Sequence, residues 1–254
     1  MSHSLEGKVA VITGGTQGIG LAIARELVSN GAMVVVTGRD KRRLDEAVRT
    51  LGPKAAGSIA DAGSPAAMDR LLKEVKALHG RLDAFVANAV IDDHAPLGKI
   101  TEAQFDRMIG TNLKGVLFAV QSAVPLMSQG GSMILIGSTA SVAAPAGMSI
   151  YGAIKAGLRG MVRALMQDLK GTGIRINVLS PGAVDTPSLR RALGKAAGPE
   201  GVDAIVGSMA HKSPLGRIGD AREIGNVAVF LASDASSYVN GVELFADGGL
   251  TQVT

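Results

Sequence analysis

The chain contains no cysteine, and this absence excludes several kinds of site. Without cysteine there is no disulfide bond, no thiolate metal site and no cysteine nucleophile. The four histidines, His3, His79, His94 and His211, are not spaced as metal ligands. We therefore expect no metal site. We also expect a cytoplasmic location, because a reducing compartment fits a cysteine-free chain.

Long apolar runs are also missing. A run such as residues 227–232 is far shorter than the roughly 18 residues that suggest a membrane-spanning helix, and residues 9–12 are too short for a secretory signal core. Basic residues outnumber acidic ones by 26 to 22, and aromatic residues make up only 3% of the chain. The basic residues are scattered rather than collected in a stripe. Nucleic-acid binding is thus the weaker hypothesis, and we expect a soluble protein without a membrane or nucleic-acid partner.

The order of apolar segments indicates the fold. With 254 residues and 46% hydrophobic content, the chain is large enough for one well-packed domain, residues 1–254. Short β-branched runs alternate with helical periodicity, and they predict strands at residues 9–13, 33–37, 55–59, 82–87, 133–137, 175–179 and 243–245. Right-handed crossovers then give an α/β fold, a doubly wound parallel sheet with helices on both faces. Residues 188–212, which have weaker periodicity, are predicted to form a lid over the substrate.

A glycine-rich segment follows the first predicted strand and leads into an amphipathic helix. It reads Thr13-Gly14-Gly15-Thr16-Gln17-Gly18-Ile19-Gly20. Glycines let the backbone turn sharply and approach a phosphate, while a helix N-terminus directs free N–H groups towards it. The spacing departs from the G-x-G-x-x-G pattern, and a plain glycine turn is the alternative. The strand-turn-helix context favours a phosphate-binding loop.

Further motifs follow this loop in a fixed order. They are Asn88-Ala89, Asn112, Ser138, Tyr151 with Lys155, Pro181-Gly182 with Thr186, and Asp247-Gly248-Gly249. With the TGxxxGIG pattern of residues 13–20 they extend over nearly the whole chain, which on these motifs resembles the short-chain dehydrogenase/reductase family. The resemblance implies a Rossmann-like, doubly wound, seven-stranded parallel sheet and a nicotinamide-dependent oxidoreductase. One motif departs from the family: where NNAG is usual, this chain has Ala87-Asn88-Ala89-Val90. The missing glycine narrows the junction between cofactor and substrate.

Two signals conflict at the end of the second predicted strand, where the choice between NAD and NADP is made. Asp40 lies about as far beyond Gly20 as the carboxylate that binds the ribose 2′-hydroxyl in NAD sites. In the family, however, NAD-preferring members have the acid at the place of Gly38, and NADP-preferring members have a basic residue at the next position, here Arg39. A guanidinium can hold a 2′-phosphate with two hydrogen bonds. We therefore predict NADP(H), with a solvated basic helix start as the alternative.

The resemblance also implies the other cofactor contacts. Asp61 would bind the adenine amino group, unless it is a helix cap before Ser64. Val184 and Thr186 would contact the nicotinamide carboxamide. The full set of predicted cofactor-binding residues is Gly14, Thr16, Gln17, Gly18, Ile19, Gly20, Arg39, Asp61, Asn88, Tyr151, Lys155, Pro181, Gly182, Val184 and Thr186.

Tyr151 and Lys155 are spaced to work together. Four residues apart on a predicted helix, they face the same side. A free tyrosine has a pKa near 10, which is too high for an efficient base, and a neighbouring ammonium group lowers the pKa of the phenol. The sequence thus predicts that Lys155 lowers the pKa of Tyr151. A helix-surface contact between the two is the alternative, but the glycine loop favours catalysis.

Two more residues complete the predicted catalytic set. Ser138 follows a buried strand, so its hydroxyl should emerge at the ligand edge of the sheet and bind the substrate oxygen. Its alternative role is that of a turn serine. By resemblance, Asn112 would hold a water linking Lys155 to solvent, with helix hydrogen bonding as the alternative.

These assignments predict an enzyme of the carbonyl reductase or alcohol dehydrogenase type, which interconverts a ketone or aldehyde and an alcohol with NADP(H). A catalytically idle NADP(H)-binding sensor or partner subunit is the alternative. The predicted pocket residues, such as Val90, Ile91 and His94, favour a neutral or weakly polar carbonyl substrate, whereas Arg190 and Arg191 could attract an anionic one. The resemblance also implies a homotetramer.

Overall fold

The structure, a computed structural model, describes residues 4–253 and, at Ser128 and Ala196, the backbone alone. Seven strands form one parallel sheet in the order β3-β2-β1-β4-β5-β6-β9. They are β1 (Val9–Ile12), β2 (Met33–Gly38), β3 (Ala55–Ile59), β4 (Leu82–Ala87), β5 (Met127–Ile136), β6 (Arg175–Pro181) and β9 (Glu243–Ala246). A separate pair of two-residue strands, β7 (Val184–Asp185) and β8 (Gly219–Asp220), lies outside this sheet.

The α-helices cover both faces of the sheet. They are α1 (Gly18–Ser29), α2 (Lys41–Leu51), α3 (Pro65–His79), α4 (Glu102–Ile109), α5 (Val116–Ala123), α6 (Ser149–Asp168), α7 (Pro187–Ala197), α8 (Val202–Lys212) and α9 (Ala221–Ala232). One buried cluster joins the sheet to α3, α5 and α6, and the other joins it to α1, α2 and α9. Successive residues of a strand point to opposite faces, so Val9 and Val11 enter the first cluster while Ala10 and Ile12 enter the second. The predicted doubly wound α/β fold is confirmed.

The strand order brings functional segments to one edge. In a parallel sheet, ligands bind where the strands end and where the order of strands reverses. Here β1 lies between β2 and β4, so the loops after β1 and β4 leave the sheet side by side. A six-residue π-helical turn, Gly110–Gly115, joins α4 to α5 and contains Asn112. Such turns are rare and occur mostly at functional sites.

Two segments differ from the sequence-based expectation. Strand β5 begins at Met127, six residues before the predicted start at Met133. The prediction began late because residues 128–132 lack the apolar pattern of a buried strand. The pairing of β4 with β5 shifts register between Leu82 and Ala84. Residues 188–212 lie within α7, a short turn (Pro199–Gly201) and α8, so they are helical. Their role as a lid stays a prediction. Within residues 4–253, no helix is long and apolar enough to cross a membrane.

The π-helical turn offers a matched pair of glycines that tests how tightly this region packs. A Cβ at Gly115 would lie 2.3 Å from the carbonyl oxygen of Ala62, whereas a Cβ at Gly110 would meet nothing within 4 Å. Both glycines have helical φ and ψ angles, so backbone strain does not separate them. We expect Gly115→Ala to lower the free energy of unfolding by about 1–3 kcal/mol through overpacking. Gly110→Ala should be neutral or slightly stabilising, and equal losses in denaturant unfolding would contradict this.

Candidate active site

The glycine loop runs from the end of β1 into α1. Gly14 and Gly18 have φ angles of +65° and +54°, a region that favours glycine. The backbone also approaches its neighbours closely, since a Cβ at Gly14 would lie 2.9 Å from the Cα of Ala89. Within the described chain, the N-cap residue Gln17 makes no side-chain capping bond to the first turn of α1. The N–H groups of this turn are therefore available to an anion.

Asn88, at the end of β4, holds this loop in place. Its side-chain amide donates to the carbonyl oxygens of Thr13 and Gly14, both at 3.0 Å. In return, the Thr13 hydroxyl accepts from the backbone N–H groups of Asn88 and Ala89, at 3.0 and 3.1 Å. A Cβ at Gly20 would lie 2.4 Å from the Asn88 amide nitrogen. This explains why glycine stands at position 20.

The residues at the end of β2 bear on the choice between NAD and NADP, for which Asp40 and Arg39 gave conflicting signals. Gly38 packs against the loop, and a Cβ there would lie 2.5 Å from Cγ2 of Thr16, so an acidic side chain does not fit at this position without movement of Thr16. Asp40 caps α2 by accepting a hydrogen bond from the N–H of Arg43 at 3.0 Å. That bond is the largest of the effects that lower the pKa of Asp40. Arg39 is exposed and lines the same cleft.

Asp61 lies opposite, after β3. Its carboxylate accepts from the N–H of Gly63 at 2.9 Å. The cap of α3 is instead Ser64, whose hydroxyl accepts from Ala67 N–H at 3.3 Å. The helix-cap alternative for Asp61 is therefore wrong. The carboxylate is exposed at the wall of the cleft.

Tyr151 and Lys155 lie on the first turns of α6. The Lys155 side chain is buried and its Nζ is 5.3 Å from the centre of the Tyr151 ring, so the predicted shared face is confirmed. Nζ also donates a 2.6 Å hydrogen bond to the carbonyl oxygen of Ile136, at the end of β5. The lysine is thus held between the tyrosine and the edge of the sheet.

The pKa values of this pair run against the sequence-based expectation. The pKa of Tyr151 is raised to about 12, chiefly by burial and in smaller part by the charge of Asp92, while a hydrogen bond with Ser138 lowers it. Burial lowers the pKa of Lys155 to about 8, while Asp92 raises it. The prediction of a lowered tyrosine pKa is therefore wrong for this chain, because loss of solvent is the largest effect on the phenol and raises its pKa. Tyr151 keeps its proton through the neutral range.

Ser138 and Asn112 have different surroundings. Ser138 faces the cleft beside Tyr151 and also accepts from the N–H of Ala140 at 3.1 Å, so it is a turn serine as well. Asn112 is buried. Its Oδ1 accepts from Ile91 N–H at 2.8 Å and its Nδ2 donates to Ile91 O at 2.7 Å. Asn112 thus fixes the loop after β4, and the water-holding role stays a prediction.

One cleft of about 670 Å³ joins both ends of the predicted site. Of the residues predicted from sequence, it is lined by Gly14, Thr16, Gln17, Gly18, Ile19, Gly20, Arg39, Asp61, Asn88, Ser138, Tyr151, Lys155, Pro181, Gly182 and Thr186. Val184 instead lies in the buried core on β7, and Asn112 lies behind the wall. Across residues 4–253 there is no cluster of three potential metal ligands.

Asp92 is the residue of this site that the sequence analysis missed. It lines the cleft, and Nε2 of His94 lies 2.6 Å from its Oδ1. The His94 ring meets the Tyr151 ring edge to face, with centroids 5.7 Å apart. A signal for Asp92 was present, since a carboxylate that closely follows a buried strand lies at the ligand edge of the sheet.

The fold and the site define a class, the doubly wound α/β oxidoreductases. A family model described as Enoyl-(Acyl carrier protein) reductase matches residues 14–251. The chain is 44% identical to oxidoreductase asL5 of Sarocladium schorii over 98% of both chains, and 35% identical to the 3-oxoacyl-[acyl-carrier-protein] reductase FabG of Salmonella typhimurium over 98% of this chain and all of that one. A short-chain dehydrogenase/reductase structure from Brucella melitensis, described as a glucose/ribitol dehydrogenase, superposes with a TM-score of 0.91 at 30% identity, covering 98% of this chain and 99% of that one.

The chain belongs to the short-chain dehydrogenase/reductase family, whose members use a nicotinamide cofactor. The family predicted from the motifs is thereby confirmed. The glycine loop and the cleft suit such a cofactor, because the first turn of α1, which has no side-chain cap within the described chain, lines the cleft with its glycines.

The buried lysine gives a pH-dependent stability. Below pH 8 Lys155 is protonated in both the folded and the unfolded chain, and the folded state bears the desolvation cost; above about 10.5 both forms are neutral and that cost is gone. We expect Lys155→Met to be most stabilising, relative to wild type, at or below pH 8. The difference should shrink by up to about 3 kcal/mol between pH 8 and 10.5. A difference that does not depend on pH in denaturant titrations would contradict the assignment.

Proposed function

We propose that this chain is an NADP(H)-dependent oxidoreductase that interconverts a ketone or aldehyde and an alcohol, of the carbonyl reductase or alcohol dehydrogenase type. The observation that carries the proposal is one continuous cleft with the glycine loop at one end and Ser138, Tyr151 and Lys155 at the other. Among the similar proteins, FabG is described as a reductase of 3-oxoacyl groups, which is a carbonyl reduction.

Tyr151 is proposed as the group that moves the proton. With its pKa raised to about 12, the phenol is protonated at neutral pH and can donate to the oxygen of a carbonyl group. Ser138 would donate a hydrogen bond to the same oxygen and stabilise its growing negative charge. In alcohol oxidation the same tyrosine acts as the base. At neutral pH the phenol therefore holds the proton that carbonyl reduction requires.

The cleft offers groups for each part of a nicotinamide dinucleotide. The chemistry that NADP(H) supplies when bound is hydride donation or acceptance. The first turn of α1 and the glycine loop would hold the pyrophosphate, Asp61 the adenine and Lys155 the nicotinamide ribose. Pro181, Gly182 and Thr186 would hold the nicotinamide end, where Val184 could take part only through its backbone because its side chain is buried. By resemblance, Asn112 would have a part in proton supply.

The preference for NADP is assigned to Arg39. Asp40 is occupied as a helix cap, and Gly38 leaves no room for an acid, so the exposed guanidinium of Arg39 faces the cleft without a competing carboxylate at position 38. We expect NADPH to bind at least about tenfold more tightly than NADH, a gap of about 1.4 kcal/mol. Arg39→Ala should remove most of this gap in calorimetric titrations.

The control for Arg39→Ala is Arg49→Ala, which also removes one positive charge. Arg49 lies on α2 and is paired with Glu46. The control should keep the preference for NADPH. Equal or reversed affinities in the wild type would reject the assignment.

The two tyrosines of the chain provide a matched test of catalysis. Tyr151→Phe keeps the ring against His94 but removes the hydroxyl that transfers the proton. We expect kcat to fall by about 10²–10⁴-fold while the affinity for NADPH stays within about threefold. Tyr238→Phe alters a fully exposed side chain and should leave kcat unchanged. The values of kcat are measured from the nicotinamide absorbance during turnover of a panel of ketones and aldehydes.

A loss below tenfold in Tyr151→Phe would contradict the proton-transfer role. Tight NADPH binding by the wild type without turnover of any carbonyl on the panel would favour the idle sensor over the enzyme.

We also propose that the protein is a cytoplasmic homotetramer of D₂ symmetry whose subunits pack through residues 112–127, residues 151–169 and the C-terminal segment. Leu117, in the first of these ranges, is an exposed apolar side chain, which is suited to a subunit interface. Light scattering should give about four times the 25.8 kDa chain mass. A monomeric mass at micromolar concentration would contradict the proposal.

A further inference from the structure

The loop that follows β4 is held in a defined position beside the catalytic tyrosine. Asn112 bonds to both backbone groups of Ile91, at 2.8 and 2.7 Å. Further along, the N–H of Ala95 donates to the carbonyl oxygen of Gly147 at 3.1 Å, which ties the loop to the segment before α6. The backbone of residues 92–94, between these two hydrogen-bonded points, is therefore held in position relative to Tyr151.

Asp92 and His94 lie between these two hydrogen-bonded points. His94 packs edge to face against Tyr151 and contacts one carboxylate oxygen of Asp92. Among residues 4–253, no other side chain is paired with Asp92, which is half exposed and lines the cleft. The charge of Asp92 acts on both catalytic groups, since it raises the pKa of Tyr151 and of Lys155. Because His94 contacts both Asp92 and Tyr151, the carboxylate lies near the reacting groups.

In the part of the chain that the structure describes, the arginines of this region are paired with other residues and not with Asp92. Asp93, the next residue, is paired with Arg107 at 3.0 Å and points to α4. Arg190, which could have attracted an anionic substrate, is bound to Asp185 at 2.7 Å and to Asp203 at 3.2 Å.

The adjacent arginine is also occupied, because the Arg191 guanidinium donates to Gln17 Oε1 and to Ser188 Oγ, each at 3.1 Å. Both arginines that the sequence offered to an anionic substrate are thus engaged by other side chains. An anionic group near the reacting carbon would meet the charge of Asp92.

We propose that Asp92 determines substrate choice: its carboxylate accepts a hydrogen bond from a hydroxyl group on the carbon next to the reacting carbonyl, and it repels a carboxylate in that place. An ionised carboxylate only accepts hydrogen bonds, and two like charges at short range repel each other. His94 holds the carboxylate in position. The inference rests on the proposed carbonyl chemistry and names its substrate class, the α-hydroxy ketones and the matching vicinal diols.

Three substrates that differ at a single group test this inference. They are 2-hydroxyacetophenone, propiophenone and phenylglyoxylate, which place a hydroxymethyl, an ethyl or a carboxylate group on the same phenyl ketone. The readout is kcat/KM for each in the wild type and in Asp92→Asn, because ratios between the two proteins cancel the intrinsic reactivity of each ketone. The hydroxy ketone should be preferred over propiophenone by the wild type.

In Asp92→Asn, that preference should fall roughly tenfold, which is the lower end of what a hydrogen bond to a charged group contributes. The ratio of phenylglyoxylate to propiophenone should rise by a similar factor. Asp93→Asn removes the same charge from a residue that is paired elsewhere and should leave both ratios within twofold. His94→Phe keeps a ring against Tyr151 but loses the nitrogen that contacts Asp92, so it should shift the ratios in the same direction by a smaller factor.

Each other outcome overturns the inference. An equal fall for all three substrates in Asp92→Asn would mean that Asp92 acts only through Tyr151, and unchanged ratios would mean that it does not meet the substrate. If the wild type turns over other carbonyls but none of these three, the substrate class is wrong and the proposed function stands. If it turns over no carbonyl at all, the proposed function itself fails.

Discussion

The loops after β1 and β4 are joined by the side chain of Asn88, and both ends of the cleft depend on this joint. The Asn88 amide donates to Thr13 O and Gly14 O, and the Thr13 hydroxyl receives the N–H of Asn88 in return. These bonds satisfy polar groups that would otherwise lack partners at a half-buried strand end. The joint is possible only without a side chain at Gly20. The phosphate-binding loop and the start of the substrate loop are thus fixed to each other.

From this joint the chain continues to Ile91, which Asn112 holds from the π-helical turn, and then to Asp92 and His94 beside Tyr151. The other side of the tyrosine is occupied by Lys155. Burying an ammonium group opposes folding, and the single bond to a carbonyl oxygen offsets only part of this cost. A buried ammonium group that lowers the stability of the fold is expected where it serves the protein's function.

The sequence predicted the positions of the site better than its electrostatics. Fixed spacing explains the success: a glycine loop directly after a strand, and a tyrosine and a lysine four residues apart on one helix, have geometries that local rules determine. The pKa of Tyr151 could not be derived in the same way, because it depends on how completely α6 is covered and on Asp92, which arrives from a distant loop. Asn112 was likewise assigned by resemblance, while its partner Ile91 became visible only in the folded chain. The early start of β5 could not be predicted because residues 128–132 have no apolar pattern.

The central claim is that hydride passes between a nicotinamide and a carbonyl carbon held against Tyr151. The most direct measurement is mass spectrometry of the alcohol formed from a ketone in the presence of NADPH that carries deuterium at the transferable position of C4. We predict one deuterium per product molecule, located on the carbinol carbon, with the hydroxyl proton drawn from solvent. An alcohol without deuterium at that carbon, or no alcohol at all, would contradict the account.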